Sequence, residues 1–150
     1  LDDKIIILNK ISAPENIGSI VRNAAGLSCN SMIYDKYSCS PFMRRSIRVS
    51  MGNIFNIKTH QSNNLFQTII DLKNRGYIIY STANEEKAIN LSKINTSKKI
   101  AIIFGSEGFG IDDNLKNISD YIIKIPVDET VAHLNVSSAS AIILHHFNNL

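Results

Sequence analysis

The sequence predicts an α/β domain, a mainly parallel sheet flanked by helices on both faces. Three observations carry the prediction. Short β-branched runs alternate with segments of helical spacing about six times along the 150 residues. The run Ile5 to Leu8 is apolar throughout rather than alternating, as in strands buried on both faces of a parallel sheet. Three glycines also stand directly after the clearest strand, where a loop at the carboxyl edge of such a sheet is expected.

The elements follow in chain order. Ile5 to Leu8 is a short β-branched run and reads as the first strand. Ile17 to Leu27 places Ile17, Val21, Ala24, Ala25 and Leu27 at helical spacing, with Asn16 as a candidate cap. Ser31 to Tyr34 reads as a strand, Pro41 to Gly52 as a helix broken at the glycine, and Ile54 to Lys58 as a strand. Leu65, Ile69, Ile70 and Leu72 mark one apolar helix face, which Gly76 closes. Tyr77 to Tyr80 and Lys99 to Phe104 are strands, separated by a polar stretch from Asn84 to Lys98 that reads as a loop with one helical turn. Tyr121 to Ile125 is a strand closed by Pro126, and Ser137 to Phe147 is an apolar helix.

Size and composition narrow the function classes. One domain with a substantial core fits the length, and 44% apolar residues argue against a disordered chain. No stretch reaches the roughly 20 uninterrupted apolar residues of a membrane helix. Asp2 and Asp3 stand where a secretory signal would be basic, and Cys29 and Cys39 are too few for a disulfide framework or a four-ligand zinc site. A cytoplasmic protein without a membrane partner is expected. The net charge of +3 is compatible with a nucleic-acid partner.

Three segments carry candidate chemistry. The first holds Asn16, Gly18, Arg22 and Ala24 just after the first strand; alone it also reads as an ordinary helix start with an exposed arginine. The second is Gly105-Ser106-Glu107-Gly108-Phe109-Gly110, which fits neither the dinucleotide fingerprint, nor the P-loop, nor the nucleophile elbow, and alone also reads as a turn. The third runs from Ile125-Pro126 to Leu134-Asn135-Val136-Ser137-Ser138-Ala139, small residues that begin a helix and admit close backbone approach.

Together, in order and spacing, the three resemble the signature motifs of the SpoU/TrmH family of SPOUT RNA methyltransferases. N-x-G-x-x-x-R-x-A is met by Asn16, Gly18, Arg22 and Ala24, and G-x-E-x-x-G by Gly105, Glu107 and Gly110. The closing I-P…L-N-V-S-x-A is met by Ile125, Pro126, Leu134, Asn135, Val136, Ser137 and Ala139. Arg48, Ser50 and Gly52 resemble a weaker R-x-S-x-G stretch. The chain departs from the family at Glu129, usually glycine, and His133, usually serine, both in the loop expected to close over adenosine.

The resemblance implies a C-terminal trefoil knot, an exception to the rule that chains are unknotted. It implies S-adenosylmethionine as cofactor, contacted here by Thr82, Gly105, Ile125, Leu134 and Ser137, with glycine at 105 leaving room for the ligand. No metal is implied. The reaction is methyl transfer to a ribose 2′-hydroxyl of structured RNA, ribosomal RNA first and transfer RNA second. Arg22, Asn16, Glu107 and Asn135 are the catalytic candidates. A guanidinium stays protonated at neutral pH, so Arg22 is assigned to orienting the ribose or phosphate and stabilising the alkoxide, while a phosphate oxygen or water takes the proton. Asn16 orients Arg22 or the ribose, and Glu107 braces that pair across a homodimer, in which the first motif of one subunit completes the site of the other. Arg44, Arg45 and Arg48, together with Arg22, are candidates for RNA phosphate contact; for the first three a solvated helix face is the competing reading. Tyr34, Tyr37 and Phe42 read equally as base-stacking or core residues. The domain is expected to span residues 1–150, with a small RNA-binding domain upstream in the full-length protein. The competing classes are a catalytically dead RNA-binding relative, a base-methylating SPOUT enzyme and a generic nucleotide-binding module. The retained Asn16, Arg22, Glu107 and Asn135, the asparagine-glycine-arginine first motif, and the missing phosphate fingerprint argue against them in turn.

Overall fold

Unbroken apolar runs, Ile5 to Leu8 within β1 (Lys4–Asn9) and Ile100 to Phe104 within β6 (Ile100–Gly105), suit the two strands at the centre of the sheet. The computed structural model describes residues 2–95 and 98–150. The remaining strands are β2 (Ser31–Asp35), β3 (Lys58–Ser62), β4 (Ile78–Thr82), β5 (Ile89–Asn90) and β7 (Tyr121–Lys124). All pairings are parallel, and the order across the sheet is β3-β2-β1-β6-β4-β7-β5.

Successive side chains of a strand point to opposite faces, so each central strand feeds two cores. Ile6, Leu8, Ile102 and Phe104 pack on one face against α1 (Pro14–Gly26) and α5 (Val136–Asn148), through Ile17, Ile20, Val21, Ile143 and Phe147. Ile5, Ile7, Ala101 and Ile103 pack on the other against α3 (Leu65–Asn74) and α4 (Asp113–Ile118), through Leu65, Ile69, Leu72 and Leu115. The remaining helix, α2 (Arg44–Val49), lies on α1. A Cβ on Gly18 of α1 would sit 2.7 Å from both the Ser46 carbonyl oxygen and Val49 Cβ, so glycine there is what lets the two helices touch. Among the described residues no helix is long and apolar enough to cross a membrane.

Five elements differ from the sequence reading. The first helix starts at Pro14, whose fixed φ suits a first helical position, with Ala13 as the cap; Asn16 lies inside the first turn rather than capping it. The segment from Pro41 becomes helical only at Arg44, and Gly52 turns the chain with φ +75. Ile54 belongs to a short 3-10 turn, Asn53–Asn56, that buries Ile54 in the α1-side core; the strand begins four residues later, as the polar edge strand β3. The 84–98 stretch carries the expected single turn at Leu91–Lys93 and also the two-residue β5, and α4 is a helix that the pattern does not announce.

The strand order sets up the site. In parallel α/β sheets, ligands bind beyond the carboxyl ends of the strands, and here the ends of β1, β6, β4 and β7 stand side by side.

Candidate active site

The three sequence motifs meet at that edge. Asn16 on α1 donates from Nδ2 to Glu107 Oε1 at 3.3 Å, and Asn135 Nδ2 donates to the same oxygen and to Asn16 Oδ1 at 3.3 Å. Asn135 is fixed from its other end, because its Oδ1 caps α5 by accepting the Ser137 amide at 2.8 Å. Glu107 is exposed and Asn16 half-buried, so the cluster is open to a polar partner. All three residues belong to one chain, so Glu107 meets Asn16 and Asn135 within the subunit.

A second link holds the motif-bearing helices together. Asn23 donates from Nδ2 to the Ser137 carbonyl at 2.9 Å and to Ser140 Oγ at 3.0 Å, tying α1 to α5 beneath the cluster. Sequence reasoning passed over Asn23; its spacing of seven from Asn16, two helical turns on the same face, was the available signal.

Beside the cluster lies a cavity of about 370 Å³ at the carboxyl ends of β4, β6 and β7. Thr82, Gly105, Ile125 and Leu134 all line it, together with Glu107 and His133; Ser137 does not, its amide being engaged by Asn135. Phe104, Ile123 and Ile143 give it apolar walls. Thr82 closes the seam between β4 and β6 by donating from Oγ1 to the Ile103 carbonyl at 2.9 Å. The 127–134 loop forms the opposite rim, with Ala132 accepting from Asn84 at 3.0 Å. Glu129 is exposed in this loop and is not among the lining residues.

Besides Glu107, charge on the cavity rim comes from residues the motifs do not include. Lys116 pairs with Glu85 and lies 3.2 Å from Asp113, and Lys124 Nζ donates to the Glu85 carbonyl at 3.1 Å. Glu85 is the main cause holding the Lys116 ammonium above its ordinary pKa, outweighing the opposing effect of burial.

Gly105 is required by the loop that follows it. A Cβ there would stand 2.3 Å from the Gly110 carbonyl carbon, 2.5 Å from its oxygen and 2.5 Å from the Ile111 amide. The loop folds back on the end of β6, where Gly110 (φ +66) donates to the Ser106 carbonyl at 2.9 Å and Ser106 Oγ accepts the Phe109 amide at 3.2 Å. This hairpin presents Glu107.

Arg22 is not part of the cluster. It is exposed on α1, six residues past Asn16 and therefore roughly 120° further round the helix. Among the described residues it has no ion-pair or hydrogen-bond partner. Arg44 and Arg48 are exposed on α2, whereas Arg45 pairs with Glu15. Tyr34 is buried, while Tyr37 and Phe42 are exposed.

The chain matches known proteins over most of its length. The family model for the SpoU rRNA Methylase family matches residues 3–145. An uncharacterized tRNA/rRNA methyltransferase of Borreliella burgdorferi is 35% identical over 140 residues, covering 93% of this chain and 61% of that protein. RlmP of Bacillus subtilis, a 23S rRNA guanosine 2′-O-methyltransferase, is 27% identical over 143 residues, 95% of this chain and 57% of that one. The SpoU methyltransferase AviRb from Streptomyces viridochromogenes, crystallised in complex with the cofactor AdoMet, has a TM-score of 0.88 at 20% identity, covering 97% of this chain and 56% of that chain. The chain spans roughly three-fifths of the length of these two curated relatives. By this match, the chain belongs to the SpoU rRNA methylase family, whose fold implies a C-terminal trefoil knot.

Proposed function

We propose that the protein uses S-adenosylmethionine to methylate a ribose 2′-hydroxyl of RNA. The observation that carries this reading is the Asn16–Glu107–Asn135 cluster on the rim of a cavity at the sheet's carboxyl edge. The cavity volume lies within the range for small-molecule sites, and its apolar walls beside exposed strand-end backbone suit a nucleoside. Thr82, Gly105, Ile125 and Leu134 would hold the cofactor, which is also bound by AviRb. When bound it supplies a methyl group activated by a sulfonium. Ser137 contributes by seating Asn135 at the start of α5 rather than by lining the cavity.

The chain's own task is to place the ribose and steady the charge that develops on its oxygen. Glu107, Asn16 and Asn135 form a fixed polar cluster that orients the ribose hydroxyls. Arg22 stabilises the alkoxide, and a phosphate oxygen or water accepts the proton. Because Arg22 lies on another face of α1 from Asn16, it serves the site of a second subunit. A homodimer through α1 and α5 is therefore part of the reading, and exposed Ile142 on α5 supports it. Light scattering at micromolar concentration is expected to give a dimer; a monomer mass contradicts this.

Ribosomal RNA is the first choice of substrate, as for RlmP, and transfer RNA the second. Arg44 and Arg48 would meet phosphates, with Arg45 contributing less because Glu15 already neutralises it. Primer-extension mapping of ribose methylation in cells with and without the gene tests the assignment. Loss of one 2′-O-methyl stop is expected, and an unchanged pattern contradicts it.

A further inference from the structure

The cavity beyond β4, β6 and β7 is not the only hollow on this edge. A second crevice of about 190 Å³ lies beyond β1 and β2, in a part of the molecule that none of the three motifs reaches. Its floor is rigid and polar. Asn9, buried at the end of β1, donates from Nδ2 to Asp35 Oδ2 at 3.1 Å and Asp112 Oδ2 at 3.2 Å, and its Oδ1 accepts the Asp112 amide at 2.9 Å. Ser38 holds the other oxygen of Asp35 through its amide and hydroxyl, at 2.8 and 2.7 Å, and Lys10 Nζ bonds Asp112 Oδ1 at 2.6 Å. Burial pushes the Asp112 carboxyl up, but Lys10 and Asn9 outweigh it and keep the group below the usual carboxylate range.

The rim has a different character. Tyr37 is 63% exposed and Phe66 39% exposed, two aromatic side chains left open to solvent around a polar hollow. The exposed carboxamides of Asn63 and Asn114 lie with them. Lys36 Nζ sits 5.1 Å and Lys10 Nζ 5.8 Å from the centre of the Tyr37 ring. Aromatic faces, carboxamides and adjacent ammonium groups are the chemistry that takes up single-stranded RNA, by stacking, base-edge hydrogen bonding and phosphate contact. Asp35 is filled by four donors, but each Asp112 carboxylate oxygen accepts only one and is partly exposed, which favours bases that bring amino donors.

We propose that this crevice receives an unpaired, amino-bearing nucleobase of the substrate RNA, close in sequence to the nucleotide that is methylated. The proposal rests on the RNA methyltransferase reading and names part of its specificity. β1 lies between β2 and β6, so the carboxyl ends of β2 and β6 are two strand spacings apart, about 10 Å. Asn9 pairs in register with Gly105, two residues before Glu107. Asp112 closes the loop that carries Glu107 and also lines the crevice, so a base seated there lies beside the reacting ribose.

The test is backbone-amide NMR on the isotopically labelled chain, titrated separately with AMP, GMP, CMP, UMP, inorganic phosphate and S-adenosylmethionine. AMP, GMP and CMP are expected to move the amides of Tyr37, Asn63 and Asn114. UMP should bind about fivefold or more weakly, and phosphate alone should leave these amides in place. Tyr37→Ala should weaken the response by about fivefold or more, and Tyr37→Phe should retain it. Tyr37 is exposed, so neither change threatens the fold. Silent crevice amides, equal binding of UMP, or an undiminished response in Tyr37→Ala overturns the proposal. S-adenosylmethionine reports on the underlying reading, at Gly105 and Leu134. A response there with a silent crevice removes only the base subsite, whereas no response there removes the methyltransferase reading itself.

Discussion

Arg22→Ala is expected to reduce methyl transfer by on the order of a hundredfold or more while leaving S-adenosylmethionine binding unchanged. The separation follows from placement. Arg22 is exposed on α1 and is not among the residues lining the cavity, so truncating it removes no cofactor contact and no core packing. On the proposed mechanism it would remove a positive group for the oxygen that turns negative as it gives up its proton, before the methyl group neutralises it. Arg22→Lys keeps the charge but loses the planar fork of donors, and should fall between the two. Calorimetry gives the binding constant and a labelled-methyl assay the rate. An alanine variant with more than about half of wild-type activity shows that the residue is misassigned.

Gly105→Ala should also impair the protein, by a different route. The added Cβ would meet backbone atoms of Gly110 and Ile111 at 2.3 to 2.5 Å, and backbone cannot swing aside as a flexible side chain does. The hairpin must open, which moves Glu107 away from Asn16 and Asn135 and reshapes one wall of the cavity. Overpacking of this kind costs about 1–3 kcal/mol in stability. Affinity for S-adenosylmethionine is expected to fall at least about tenfold, which corresponds to the lower part of that range. Wild-type affinity is expected to be the same with and without EDTA. A Gly105→Ala protein that binds the cofactor as tightly as wild type contradicts the account of this loop.

The parts of the fold legible in the sequence are those where burial dictates composition. β1 and β6 are buried on both faces and read as unbroken apolar runs; α1 and α3 each bury one face and show it in their spacing. The elements that escape are those that bury little. α4 has six residues and buries only Leu115, too short and too polar for a helical period to show. β3, Lys-Thr-His-Gln-Ser, buries only its last residue, because it is the edge strand. The nearby apolar residues Ile54 and Ile57 imitate a strand but fill the core around a 3-10 turn.

The site divides in the same way. Asn16, Glu107 and Asn135 were readable because their motif spacing is distinctive, and the structure brings the three together. Asn23, Asn9 and Asp112 were not, because each acts through a hydrogen bond to a residue about a hundred positions away. Nothing in local periodicity marks such a partner. Gly105 was found for its position, while its reason, contact with its own loop, needed the folded backbone.

The proposed acceptor of the methyl group is a ribose oxygen. The direct measurement incubates the chain with methyl-labelled S-adenosylmethionine, EDTA and total RNA from cells lacking the gene, digests the RNA to nucleosides and separates them by mass. Label is expected in a 2′-O-methylnucleoside. Label on a base, or none at all from a folded chain that binds the cofactor, contradicts it.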